Sequence, residues 1–168
     1  MKIKTMFVSL LTLLTLLLST SISLAYTDYN PLGSANGYAR GVKANFYENS
    51  TFVPKLFLFT GIEVLPLSQH KPAESEVDIF VKNALRYGCF AEFDKEITSA
   101  NGFNNAYIWL NNPEGKITED FIRKNLLNAM LVEKGYARVV DYGPNQKYVQ
   151  YLLKIQSEAK ENHRGIWE

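Results

Sequence analysis

The run GYARGVKANFYE, residues 37–48, alternates apolar and polar positions loosely, breaks at ENS, and resumes as TFVPKLFLFTGI, residues 51–62. Two β-rich runs around a short polar break predict a hairpin. Pro54 belongs at an edge or a bulge, because it has no ladder hydrogen bond to donate. The period then changes: in ESEVDIFVKNALRYG, Val77, Phe80, Val81, Ala84 and Leu85 recur at helical spacing, which predicts a helix with one buried face, closed by Gly88. CFAEFDKEI and NNAYIWL are short β-rich runs separated by TSANGF, a turn signal.

After the turn NNPEGK, the stretch ITEDFIRKNLLNAMLVEKG carries helical signals broken near Asn125 to Asn128. Asn128 is the predicted N-cap of a short helix that ends at Gly135. YARVV is a last short strand, and KYVQYLLKIQSEAKEN a closing helix with Tyr148, Tyr151, Leu152, Ile155 and Ala159 on one stripe. Ile166 and Trp167 then pack back on the body. Short strands in hairpins, one helix between them and helices at the end predict an α+β domain, with a small barrel as the natural way to remove sheet edges.

The first twenty-five residues do not belong to this pattern. MKIK, the apolar FVSLLTLLTLLL and the small-residue end SISLA read as a secretory leader, residues 1–25, cleaved after Ala25. Its apolar stretch is shorter than the roughly 20 residues a bilayer span needs. Residues 26–36 read as a linker and residues 37–168 as one domain. Removing Lys2 and Lys4 turns 18 basic against 17 acidic residues into 16 against 17, a near-neutral chain with interspersed charges. Such a surface does not hold polyanions strongly. The expected location is secreted or in the cell envelope, with no membrane contact once the leader is gone.

Candidate chemistry is sparse. Cys89 is the one cysteine, which excludes an internal disulfide and suggests a buried thiol. His70 stands in a polar loop without a second histidine, and His163 with Arg164 complements the end of the last helix. Tyr107 and Trp109 read as core, while Phe103, at the turn, reads as exposed. Glu63, in GIEVLP, is the one acid at the end of an apolar run, and its role as metal ligand or solvated turn residue decides the reading.

Four segments in order carry a family resemblance: AEFDK, NAYIWL, LLNAMLVEKGYARVV and SEAKENHRGIWE. Gly37–Glu168 thereby resembles the staphylococcal nuclease (thermonuclease) family. The resemblance implies a five-stranded OB-type barrel with about three helices, in which ITEDFIRKN, residues 117–125, stands as an insertion. It also implies cleavage of DNA and RNA with calcium held by carboxylates, a glutamate that activates water and two arginines that clamp the phosphate. In this chain Leu58 stands at the first arginine, Glu63 at the metal-binding aspartate, Val64 and Leu65 at the threonine and proline, and Pro66 at the general base. Ala44 stands at another calcium carboxylate and Phe103 at the second arginine. Tyr142 matches a tyrosine of the family's nucleotide pocket, whose partner position holds Val140.

The expectation is an exported domain that has lost hydrolysis and serves as a binding or structural module, with the old groove lined by Leu58, Val64, Pro66 and Phe103. An apolar groove favours a peptide or glycan over nucleic acid. No cofactor is expected, and the domain is taken as a monomer. The competing reading is an active calcium-dependent nuclease with relocated residues, drawn from Glu74, Glu76, Asp78, Arg86 and Arg123. A protein-interaction domain that uses the barrel exterior fits the same sequence.

Overall fold

A computed structural model describes residues 22–26, 41–48, 51–65, 76–96, 98, 103–140 and 143–168, with side chains described from Leu56 onward. The strands are β1 (Ile22–Tyr26), β2 (Gly41–Glu48), β3 (Thr51–Phe59), β4 (Ile62–Val64), β5 (Cys89–Glu92), β6 (Asn104–Trp109) and β7 (Ala137–Val139). The helices are α1 (Glu76–Ala84), α2 (Glu119–Asn125), α3 (Leu127–Glu133) and α4 (Val149–Glu161), followed by a 3-10 turn at Gly165–Trp167.

The fold is α+β. Five strands close a barrel in the order β1-β2-β3-β6-β5, and β4 with β7 forms a separate two-stranded ribbon. Strands β2 and β3 are the predicted hairpin, paired from Gly41↔Leu58 to Glu48↔Thr51. Pro54 lies opposite Asn45, on the half of β3 outside the parallel pairing with β6, which covers Phe57–Phe59. The missing N–H is therefore placed where an edge tolerates it. The crossover from β3 to the parallel β6 carries α1 and β5, as a parallel pair requires.

Phe57, Phe59, Cys89, Ala91, Ala106 and Ile108 fill the barrel side of β3, β5 and β6. Val77, Val81 and Leu85 are the buried face of α1, with Phe80 and Ala84 half-buried beside them. Strand β1 closes the barrel by pairing Ile22–Ala25 with β5. These residues lie immediately before the expected cleavage point, so removal after Ala25 takes away all of that pairing.

Four details differ from the sequence expectations. β3 does not run through Ile62: the chain turns at Thr60–Gly61, with Gly61 left-handed at φ 78°, and restarts as β4. Residues 119–125 form a helix of their own, so the described residues hold four α-helices rather than about three. Thr118 caps α2 by accepting the Phe121 N–H at 3.2 Å, and Glu119 and Asp120 sit in its first turn, where acids favour a helix start.

Asn128 does not cap α3, whose N-cap residue is Leu126, without a side-chain cap bond. Asn128 is instead fully buried within it, accepting from Ile108 N–H at 3.0 Å and donating to the Thr60 carbonyl at 2.9 Å. One carboxamide thus joins β3 and β6 where their ladder ends. Finally, Tyr151 leaves the apolar stripe of α4 and stands 38 % exposed, while Tyr148, Leu152, Ile155 and Ala159 are buried as expected.

The C-terminus is held by a close glycine contact. Gly135, left-handed at φ 69°, ends α3 as predicted, and the Tyr136 N–H bonds back to Leu131 O at 2.9 Å. Ile166 N–H donates to Gly135 O at 2.9 Å. A Cβ on Gly135 would stand 1.9 Å from the Arg164 carbonyl oxygen, and one on Gly165 2.4 Å from that of Gly135. Only two glycines allow this approach. Among the described residues no helix is long and apolar enough to cross a membrane.

Candidate functional site

Glu63 is positioned by the ribbon. Its neighbours Ile62 and Val64 turn into the core, so the two-residue alternation sends Glu63 outward, opposite Arg138 of β7. The Arg138 guanidinium donates to Glu63 Oε2 through Nε at 2.8 Å and approaches it through Nη2 at 2.6 Å. Both side chains are about half exposed, 46 % for Glu63 and 52 % for Arg138. A cross-strand pair of this kind is worth about 0.2–1 kcal/mol.

Calcium takes six to eight oxygens, several of them charged. Among the described residues no group of three or more His, Cys, Asp or Glu is placed to hold a metal ion, and Glu63, the acid expected from the sequence at a metal position, is already engaged by a guanidinium. The donor set of the described residues does not fit calcium.

Leu58 is half-buried on β3, opposite Asn105 of β6, and Phe103 immediately precedes β6 with 38 % of its surface exposed. Alternation puts Leu58, Asn105 and Phe103 on the same face, opposite the barrel core. Val64 was expected to line the groove but is 5 % exposed and faces the core. It leaves the groove because β4 is half of the ribbon rather than an extension of β3. Pro66, His70, Glu74 and Tyr142 lie outside the described residues, as does the side chain of Ala44. Val140 donates its N–H to Gly61 O at 3.0 Å, tying the end of β7 to the β3–β4 turn.

Of the charged residues considered for relocation, Glu76, Arg86 and Arg123 have contacts of their own. Arg86 lies over the Tyr87 ring at 5.6 Å. Arg123, from the inserted helix, contacts Glu119 at 2.9 Å, Glu158 at 2.8 Å and Glu133 at 3.4 Å, joining α2 to α3 and α4. Lys154 adds a contact to Glu119 at 2.8 Å. The Lys154 and Arg123 hydrogen bonds hold the Glu119 carboxyl below the ordinary carboxylate range. Glu76 accepts the Tyr136 hydroxyl at 2.5 Å, and burial with this bond pushes Tyr136 up to about 12. His163 is exposed and left-handed (φ 49°) just past the end of α4.

The strongest polar centre lies elsewhere. Glu92 of β5 is 1 % exposed and receives Trp109 Nε1 at 2.8 Å, Tyr148 OH at 3.0 Å and the Lys147 ammonium. Asp94 accepts the Lys147 N–H at 3.0 Å, and Asn145 exchanges two hydrogen bonds with the Glu96 backbone at 2.7 and 2.8 Å. Together they seat the start of α4 on β5. Burial raises both Tyr107 and Tyr148 above the ordinary phenol range, with Asp94 and Glu92 adding to the first and Glu92 to the second. Tyr107 and Trp109 are fully buried, as expected of core residues. Sequence reasoning passed over Glu92 as a functional position; its one signal is an acid inside the apolar strand CFAEF.

Residues 76–168 match the family model described as Staphylococcal nuclease homologue. The chain is 29 % identical over 105 residues to a thermonuclease of Staphylococcus hyicus, a match covering 62 % of this chain and 55 % of that protein. It is 31 % identical over 77 residues to a thermonuclease of Staphylococcus intermedius, covering 46 % of this chain and 39 % of that protein. The chain spans about half the length, or less, of these relatives.

Proposed function

The chain belongs to the staphylococcal nuclease homologue family, and from that premise we propose that it is an exported member without hydrolytic activity, acting as a monomeric binding module. The observation that carries this reading is the Glu63–Arg138 pair: the acid at the family's metal position serves an ion pair on the ribbon. Leu58 and Phe103 supply hydrocarbon where the resemblance calls for guanidinium, and neither can stabilise a phosphate gaining negative charge.

Magnitudes favour loss over weakening. Removing a general base costs about two to four orders of magnitude in rate, and each missing charge donor about two to three more. Residues that act as a unit do not add, so the total saturates near background. The ligand is peptide or glycan rather than nucleic acid, and the reading invokes no cofactor.

The test is incubation of the purified protein with single-stranded DNA and RNA, in calcium or in chelator. We expect no cleavage above background in either. Chelator-sensitive cleavage that copurifies with the protein and vanishes in Glu63→Ala would overturn the reading.

A further inference from the structure

A cleft of about 260 Å³ opens between α2, α3 and the turn after α4, lined by Arg123, Met130, Glu133, Lys134 and Arg164. Three cations and one acid share it. Arg123 and the neighbouring Lys154 are answered by Glu119 and Glu158 at 2.8 to 2.9 Å, two charges of each sign. What remains is Glu133 against Lys134 and Arg164, one positive charge in excess. The Lys134 ammonium stands 5.1 Å from the Phe80 ring centroid, and among the described residues no carboxylate is within ion-pair reach of it.

Glu133 does not answer that excess. Its Oε1 lies 3.4 Å from Arg123 Nη1 and 3.9 Å from Arg164 Nη1, against about 2.7–2.9 Å for a charge-assisted hydrogen bond. One carboxylate stretched between two guanidiniums completes neither contact. Arg164 Nη1 also donates at 3.1 Å to the Glu133 carbonyl, which leaves most of the guanidinium fork to face the cleft. The Arg164 backbone cannot retreat: its N–H bonds to Ala159 O at 3.0 Å, and its carbonyl lies where a Cβ on Gly135 would meet it at 1.9 Å. The charge is therefore presented on a fixed main chain.

We infer that this cleft binds a small organic monocarboxylate, held by Lys134 and Arg164 with its aliphatic stem over Met130. The site shares no residue with the groove above and does not depend on it. The two oxygens of a carboxylate match a planar guanidinium, and its single charge equals the excess. A phosphate monoester carries about −1.5 to −2 at pH 7 and would set a surplus charge against Glu133. The volume falls below the roughly 300–1,000 Å³ of sites for drug-sized ligands, so the body of the ligand is only a few carbons long.

The experiment is titration of the full chain with butyrate at constant ionic strength, observed by amide NMR, with butyramide and inorganic phosphate in parallel. Butyrate should shift the Glu133, Lys134, Gly135 and Arg164 amides saturably at millimolar concentration, whereas butyramide, of the same shape without the charge, should leave them in place. Lys134→Gln should weaken butyrate binding about fivefold, the upper worth of an exposed ion pair. Glu133→Gln removes the competing acid and should strengthen the binding several-fold, an opposite sign that a folding defect cannot imitate.

No saturable shift with butyrate, equal shifts with butyramide, or an affinity unchanged in both variants would overturn the inference. Tighter binding of phosphate than of butyrate would overturn the carboxylate assignment. These outcomes leave the loss of hydrolysis standing, since that claim fails only in the cleavage assay.

Discussion

Residues 76–168 and residues 41–65 build the same domain, yet they differ in kind. The first region matches the family and holds the buried polar centre at Glu92, the Asn128 bridge and the glycine contact at the C-terminus. The second, which the family match does not reach, contributes the β2–β3 hairpin and the turn to β4. It also carries Leu58 and Glu63, two of the positions where the resemblance calls for catalytic groups. Among the described residues, the buried polar side chains that tie elements together lie in the matched region, whereas the proposed loss of hydrolysis rests on positions that begin outside it.

The comparison is broken most directly at Glu92. Glu92→Ala leaves Trp109 Nε1 and Tyr148 OH without their acceptor, and an unmade buried partner costs about 1–3 kcal/mol for each donor. Chemical denaturation should show a loss on the order of 3–5 kcal/mol, the range for breaking a buried charged pair. A loss below 1 kcal/mol would mean that the polar centre is dispensable.

The next test concerns the seam of the barrel. A chain starting at Tyr26 lacks every β1–β5 pair, and at about 0.5–1.5 kcal/mol for each hydrogen bond it should lose roughly 2–4 kcal/mol. Faster amide exchange in β5 would accompany the loss. Equal stability of the two chains would show that residues beyond Tyr26 supply a fifth strand.

Alkaline stability probes the matched region more gently. Burial pushes the Cys89 thiol up to about 12 from an ordinary 9. The folded chain therefore holds this proton at pH values where the unfolded chain has released it. Stability from this group is complete below pH 9 and falls as pH rises from 9 towards 12. Tyr136, also raised to about 12, deepens the fall above pH 10. Denaturation midpoints measured across this range check the slope, which should flatten in Cys89→Ala.

The smallest effect belongs to the ribbon. Glu63→Ala and Arg138→Ala each remove an exposed pair and should cost under about 1 kcal/mol, with no dependence on added calcium. Calcium-dependent stabilisation of the parent protein that disappears in Glu63→Ala would reverse the contrast between the two regions.

Much of the fold was legible because its signals are local. The period of two in KANFYE and KLFLF, the period of 3.6 in Val77–Leu85 and the glycines at 88 and 135 each speak about their own neighbourhood. What stayed hidden depends on partners far along the chain. Asn128 looks like a cap until the Thr60 carbonyl, 68 residues away, arrives to accept its amide. Glu92 looks like an isolated acid until Tyr148, 56 residues later, donates to it. The Thr60–Gly61 turn is short, and its apolar flanks conceal that Val64 leaves the groove. The helix at residues 119–125 had its cap, Thr118, in plain view, but the asparagines around it masked the period. Tyr151 fits the stripe by spacing but lies at its solvent margin.

The Gly135–Gly165 contact also ties the ribbon to a backbone 30 residues further along. A Cβ at either position would push that backbone away, so substituting either glycine would reach Arg138 and its partner Glu63 through the main chain, without touching either side chain.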